Sequence, residues 1–267
     1  MMTARPELFA GNPDPERILP IDDDYAAGLR RLGRTVTKPY YLRADPMRPG
    51  RDLLPGHHII VEMCRVAGIT GDVTLRPYLH LTPEEKRAGR RNALPVIALQ
   101  SSVLSAGVPY PTKEWALCNW EQVVSLLRPH ARLVQLGSAS DPALPVDEDL
   151  RGKTTLREAA AVLAGSAVFV GLEGFLTHLA RAVDCPSVVV MGGRAPREVF
   201  GYAANVNLLS APGCAPCGLR EGCPHDLECM RMIEPETVLA AALKILASPP
   251  ERPLFATNVT IPDPGDA

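Results

Sequence analysis

The sequence predicts an α/β chain with one complete Rossmann-like domain, built on a doubly wound parallel sheet, after a reduced N-terminal α/β region. Two observations predict it. Between about Leu94 and Ala247, short Val/Ile/Leu runs alternate with amphipathic segments, the pattern of parallel strands covered by helices on both faces. Within that span Ala167–Gly193, AVFVGLEGFLTHLARAVDCPSVVVMGG, reads as strand, glycine turn, helix and strand, with Gly171 and Gly174 expected to let the backbone turn sharply. The carboxyl ends of such strands, followed by a helix N-terminus, are where open α/β sheets hold anionic ligands.

The elements follow in order. In residues 1–92 strands are expected at Ile18–Ile21, Pro39–Leu42 and Arg76–Leu81, and helices at Asp23–Leu32, His57–Ala67 and Pro83–Arg91. Asp22–Asp24 reads as an N-cap run, and Thr82 with Glu85 as a capping box. This is material for half of a doubly wound domain. In residues 93–247 strands are expected at Pro95–Leu99, Arg132–Leu136, Ala167–Val170, Ser187–Met191 and Val206–Leu209. Helices are expected at Asn119–Leu127, Thr155–Ala164, Phe175–Val183 and Glu236–Ala247, the second opened by a Thr155–Glu158 capping box. Trp115 and Trp120 read as core anchors. Residues 248–267 are proline-rich and without a sustained period, so they are expected to be extended or disordered.

Composition narrows the function classes. The 267 residues are 46% apolar and 22% charged, ordinary for a globular chain with a real core. A formal charge of −2 with no basic run gives no footprint for nucleic acid. No apolar run is long enough to span a bilayer, and the opening MMTARPELFAGNPDPE is too polar for a secretory signal, so a cytoplasmic location is expected. In that setting the seven cysteines read as metal ligands or buried thiols. Cys214, Cys217, Cys223 and Cys229 form a C-x2-C-x5-C-x5-C box in a Gly/Pro-rich stretch, a spacing that closes a tetrahedral thiolate site with zinc as its usual occupant. Four thiolates leave no open coordination position, so the metal would be structural. Reduced thiols or two disulfides are the alternative. Cys64, Cys118 and Cys185 read as buried small hydrophobes.

The runs ALPVIALQSS, Lys113-Glu114-Trp115, LVQLGS, GKTTLREAAAVLAGSAVFVG and EGFLTHLARAVDCPSVVVMGG, with the cysteine box, resemble family 9 of the glycosyltransferases. These are the ADP-heptose transferases of lipopolysaccharide core and their relatives that glycosylate autotransporter proteins. The resemblance implies a GT-B-like architecture and an inverting transfer of a sugar from a nucleotide-sugar donor to a glycan or protein acceptor. It also implies iron as a second candidate for the cysteine box. Lys113 matches the family's K-x-W lysine. Ser101, Ser102, Gly171, Glu173, Gly174, Thr177 and His178 are the further donor-binding candidates. Taken singly, Lys113 reads as a surface lysine and His178 as a core histidine. Asp141 reads either as a ribose contact or as a turn residue.

Two departures stand out. The family's D-S-G-x-x-H is here Glu173-Gly174-Phe175-Leu176-Thr177-His178, with a longer acid and a phenylalanine in place of glycine. The family's N-terminal Gly-Asp loop, the usual source of a general base, has no counterpart, and Gly71-Asp72 reads as an ordinary loop pair. No catalytic residue is therefore assigned. Asp22, Asp23, Asp24, Asp45 and Glu62 are the candidates for a base in the first ninety residues, and none sits in a recognisable loop after a glycine-bearing strand. The alternative to an enzyme is a catalytically inactive nucleotide-sugar-binding or scaffold protein, or a subunit completed by a partner chain, with a homo-oligomer as one form of that completion.

Overall fold

A computed structural model of the chain describes residues 2–34, 37, 42–90, 94–105 and 109–263. The centre is a six-stranded parallel sheet made of β1 (Val96–Leu99), β2 (Arg132–Gln135), β3 (Glu148–Asp149), β4 (Val168–Leu172), β5 (Ser187–Gly192) and β6 (Val206–Leu209). Its spatial order is β3-β2-β1-β4-β5-β6, all pairs parallel. The chain starts in the middle, runs to one edge, returns and runs to the other, so β1 and β4 flank the point where the winding reverses. The helices in chain order are α1 (Asp23–Arg31), α2 (Ile59–Val66), α3 (Pro83–Gly89), α4 (Leu117–Leu127), α5 (Leu156–Gly165), α6 (Phe175–Ala182), α7 (Arg197–Phe200), α8 (Glu228–Arg231) and α9 (Pro235–Ala247).

Strand alternation divides the apolar residues between two cores. Ile97 and Leu99 face one side with Val168, Val170, Val188 and Val190, against Trp120, Val123 and Leu127 of α4 and Val238 and Ala242 of α9. Val96, Ala98, Val134 and Phe169 face the other side against α5 and α6. Trp115 and Trp120 are core anchors as expected, edge to face at 5.0 Å, with Trp115 Nε1 donating to the Ile233 carbonyl at 3.1 Å.

Local capping follows the sequence closely. Asp22 accepts from the Tyr25 N–H at 2.9 Å, and both Thr82–Glu85 and Thr155–Glu158 form reciprocal capping boxes. Helix α3 lies directly on α5. A Cβ on Gly89 would overlap the Ala161 carbonyl, and one on Gly165 would come within 2.6 Å of the Gly89 oxygen, so glycine is what allows the two backbones to touch. Leu79 and Leu81 pack on the same core, which joins this late part of the N-terminal region to the sheet layer.

The departures have physical reasons. The expected Arg76–Leu81 strand is irregular, since Pro77 removes a ladder donor, and the strand sits earlier at Gly71–Thr74. The expected Ile18–Ile21 strand shortens to Leu19–Pro20, paired in parallel with Met2–Thr3. Residues 39–41 of the expected Pro39–Leu42 strand lie outside the described residues. The tail corrects the expectation of disorder over its described part: Asn258–Ile261 pairs antiparallel with Gly71–Thr74, and Leu254 and Ile261 are buried. Arg181 has no exposed surface and donates to the Leu254 and Phe255 carbonyls at 3.3 and 2.9 Å, while Arg252 donates to those of Ala164 and Ser166. Proline content described the tail's backbone and missed these anchors. Among the lone cysteines Cys185 is buried as expected, Cys64 is part-buried, and Cys118 is exposed on the solvent side of α4.

Candidate functional site

Because β1 and β4 flank the winding reversal, the segments leaving their carboxyl ends converge. Ser101 and Ser102 follow β1, and Glu173 and Gly174 follow β4 and lead into α6. The first turn of α6 has no side-chain cap, so its leading N–H groups and the positive end of the helix dipole are left for an anion. The two glycines act differently from the sequence expectation. Gly171 lies within β4, where a Cβ would strike the Phe169 ring, and Gly174 has φ of 174°, extended backbone, with Val103 Cγ1 at 3.0 Å from where its Cβ would stand. They make room for close packing; the turn itself is at Glu173–Gly174.

Lys113 is buried and ends a short 3-10 turn, Pro111–Lys113, between β1 and α4. Its ammonium lies 2.5 Å from Glu173 Oε2, with the two side chains only 11% and 8% exposed. It also sits 4.5 Å from the centroid of the Tyr110 ring and 5.5 Å from that of Phe200. The surface reading of Lys113 is thereby overturned. Burial works against ionisation of Glu173, but the charge and hydrogen bond of Lys113, with His178 and Arg194 nearby, hold its carboxyl below the usual range.

His178 continues the cluster. Its Nδ1 is 2.7 Å from the Tyr202 hydroxyl, and the two rings meet edge to face. Burial lowers the His178 imidazole's proton affinity, and Lys113 adds to that against the pull of Glu173. His58, the N-cap of α2, packs its ring 5.1 Å from that of Tyr202; burial first, then His178, push it down to about 4. Burial pushes the Tyr202 hydroxyl up. Burial thus favours the neutral form of all three groups, and the paired charges here are those of the cations and carboxylates.

Three sequence candidates turn out to be committed elsewhere. Thr177 donates its hydroxyl to the Leu172 carbonyl at 2.8 Å, closing the β4 end. Ser101 donates to the Pro142 carbonyl at 2.9 Å and accepts from Gln135 Nε2. Ser102 accepts from the Leu104 N–H at 3.1 Å, and its hydroxyl lies against the Glu114 carboxylate, which burial pushes up. Asp141 is a turn residue: it accepts from the Ser138 N–H and the Ser105 hydroxyl at 2.9 and 2.7 Å. Asp72 accepts from the Thr260 hydroxyl in the tail pairing and faces no site.

Several residues in this region carry no motif in the sequence. Arg194, just past β5, is buried with Asp52, and Arg220 Nε stands 3.4 Å from the other Asp52 oxygen. Thr112 donates to the Leu219 carbonyl at 2.7 Å, tying the Lys113 turn to the cysteine loop.

The four box cysteines line one cavity of about 50 Å³ together with His225 and Glu228. None is in a disulfide, and burial, with the other three thiols, pushes the Cys229 thiol up. Four soft donors around one space suit a tetrathiolate ion in kind. Among the described residues, though, no group of three or more His, Cys, Asp or Glu is drawn to ligation distance.

Sheet order and site together define a doubly wound α/β protein whose buried cations and uncapped helix end lie at the carboxyl edge of the sheet. Residues 72–226 match the model of glycosyltransferase family 9 (heptosyltransferase), and the chain belongs to that family. Lipopolysaccharide heptosyltransferase 1 of Escherichia coli O18:K1:H7 (strain RS218 / NMEC) is 29% identical over 136 residues, 45% of this chain and 40% of the relative. Its Salmonella typhimurium counterpart (strain LT2) is 28% identical over 114 residues, 38% of this chain and 34% of the relative. The matched region is thus less than half the length of these curated relatives. Among solved structures, a family 9 glycosyltransferase from Veillonella parvula DSM 2008 superposes with a TM-score of 0.55 at 15% identity, covering 77% of this chain and 62% of that one. TibC of enterotoxigenic E. coli H10407, described as a dodecameric iron-containing heptosyltransferase in complex with ADP-D-beta-D-heptose, superposes with a TM-score of 0.56 at 20% identity over 72% of this chain and 53% of that one. These likenesses establish the expected GT-B-like α/β fold.

Proposed function

We propose that the chain carries the donor side of an inverting glycosyltransferase that moves a sugar, with heptose first in line, from a nucleotide-sugar donor to a glycan or protein acceptor. The observation that carries this reading is the convergence of Lys113, Glu173 and the uncapped α6 N-terminus at the winding reversal between β1 and β4. In such a transfer an acceptor oxygen attacks the anomeric carbon as its bond to the diphosphate oxygen breaks, so negative charge grows on the leaving group. Lys113 and the α6 N–H groups are placed to take up that charge, with Glu173 orienting the ammonium. Lys113, Glu173, Gly174 and His178 remain the donor-binding residues of this reading, whereas the hydroxyls of Ser101, Ser102 and Thr177 serve the scaffold.

Residues 1–92 are proposed as the acceptor side and 93–247 as the donor domain. The cysteine box, Cys214, Cys217, Cys223 and Cys229, is proposed to hold a structural zinc or iron; the shared cavity supports this, as does the iron reported for TibC. Such an ion would brace the loop that reaches Thr112 and take no part in sugar transfer. Seven unbridged cysteines support a cytoplasmic setting for this reading, and among the described residues no helix is long and apolar enough to cross a membrane.

Isothermal titration with ADP-heptose, ADP, UDP-glucose and GDP-mannose tests the donor site. Saturable binding of one nucleotide sugar, lost in Lys113→Ala, is expected; no binding by any of them refutes the reading. Elemental analysis of the purified chain tests the box, with near-stoichiometric zinc or iron expected and a metal-free protein counting against it.

A further inference from the structure

Each buried cation at the carboxyl end of the sheet is covered by a carboxylate of the chain itself. Lys113 is covered by Glu173 at 2.5 Å. Arg194 is covered by Asp52, whose second oxygen stands 3.4 Å from Arg220 Nε. Arg194 and Asp52 side chains are 3% and 4% exposed, so both charges of this pair are withdrawn from water.

Three details set Arg194 apart from a plain structural arginine. Its Nε donates to the Leu219 carbonyl at 2.9 Å and its Nη2 to Asp52, but Nη1 is buried with no hydrogen-bond partner among the described residues. A buried guanidinium N–H without an acceptor is costly; Arg76, Arg181 and Arg220 each leave Nε in the same state, so for Arg194 the orphan counts only together with its place beside Lys113. Secondly, Arg194 shares its aromatic surroundings with Lys113. Its Cζ lies 4.7 Å from the Tyr110 centroid and 5.9 Å from that of Phe200, the same two rings that hold the Lys113 ammonium. Thirdly, among the described residues the ion pairs here set three cations, Lys113, Arg194 and Arg220, against two carboxylates, Glu173 and Asp52.

The segment bringing Asp52 in is held at the backbone as well. Asp52 N–H donates to the Gly218 carbonyl and Gly218 N–H to the Arg194 carbonyl, both at 2.9 Å. Gly218 has φ of +65°, and a Cβ there would come within 2.8 Å of the Asp52 carbonyl oxygen, so glycine lets the cysteine loop approach this segment. A carboxylate and a phosphate present the same pair of oxygens to a guanidinium.

We propose that Arg194 is a second diphosphate-binding residue beside Lys113, and that Asp52 holds it as an internal stand-in for a phosphate oxygen, to be displaced when the donor binds. This rests on the nucleotide-sugar reading above. The Asp52–Leu53 segment, a two-residue strand paired with Arg43–Ala44 and tied to the cysteine loop through Gly218, is then the piece that yields to the incoming anion.

The test is calorimetric titration of the full chain with ADP and, separately, with inorganic pyrophosphate, using wild type, Arg194→Gln, Arg194→Lys, Asp52→Asn and Lys113→Ala. Arg194→Gln is expected to weaken both ligands about tenfold to a hundredfold, the loss of a charged hydrogen bond, with Arg194→Lys in between. Asp52→Asn is expected to tighten both ligands severalfold while lowering the melting temperature. A pair that serves only the scaffold would weaken binding in both variants, and that overturns the proposal. If Arg194→Gln does not fold, Asp52→Asn alone decides by the sign of its change. If Lys113→Ala abolishes binding while Arg194→Gln leaves it unchanged, the donor reading stands and this inference falls; if wild type binds neither ligand, this inference falls and the titration with the four nucleotide ligands decides the donor reading.

Discussion

Replacing Lys113 by methionine keeps the bulk of the side chain and removes its charge from Glu173. Both side chains are nearly withdrawn from solvent, 11% and 8% exposed, so the loss falls in the range for breaking a buried pair, about 3–5 kcal/mol at neutral pH. Its pH dependence is the more demanding part. In the wild type the Glu173 carboxyl is held below its unfolded value of about 4.3, so its stabilisation is present above that pH and is lost as pH falls through the lower folded value. In the variant burial acts without its main counterweight and pushes the carboxyl up. The folded variant then holds a proton that the unfolded chain has released, and its stability declines as pH rises above about 4. The gap between the two proteins should therefore widen as pH rises from the acid range toward neutrality. Urea unfolding of both proteins across that range measures it. A gap of the same size at every pH would mean that Glu173 is not ionised against Lys113, and the electrostatic account of the site would fail.

Other perturbations test the scaffold. Gly89→Ala should cost about 1–3 kcal/mol, seen as a lower urea midpoint, because the new methyl meets the Ala161 backbone and α3 must lift from α5. Ending the chain after Ser248 should cost roughly 3–6 kcal/mol from Leu254 and Ile261 alone, at about 1.5–3 kcal/mol for each buried side chain, and it also strips Arg181 of its carbonyl acceptors. A thermal melt unchanged by that truncation would show the tail to be idle.

What could be read from the sequence was what local chemistry decides. Strands β1, β2, β4, β5 and β6 announce themselves as apolar runs, and the caps at Asp22, Thr82 and Thr155 need only residues three apart. Strand β3 was missed because it is two acidic residues at a sheet edge, Glu148–Asp149, with no apolar run to betray it. At the site, Lys113, Glu173 and His178 were named, but the pairing of Lys113 with Glu173 joins positions sixty residues apart. Ser101 was named for its hydroxyl and Thr177 as part of the glycine turn, yet buried carbonyls need donors, and the two hydroxyls are spent on the Pro142 carbonyl in the loop after β2 and the Leu172 carbonyl at the end of β4. Asp52 and Arg194 lie in no recognisable pattern. Their meaning comes from a contact across 142 positions, which no spacing rule reports.

The order of the sheet also bears on how the chain is made. Strand β1 is the middle of the finished sheet, yet one of its edges is left waiting for β4, since the intervening chain builds β2 and β3 on the other side. Val168 follows Leu99 by 69 residues, so at roughly 5–20 residues per second a ribosome needs about 3–14 s to supply the missing neighbour. Throughout that interval Val96–Leu99, four consecutive apolar residues, offers an unpaired edge to any other strand in the vicinity. Slow translation across residues 100–167, or a shortage of chaperones that shield nascent strands, should thus lower the yield of native protein more than the same delay placed after residue 209.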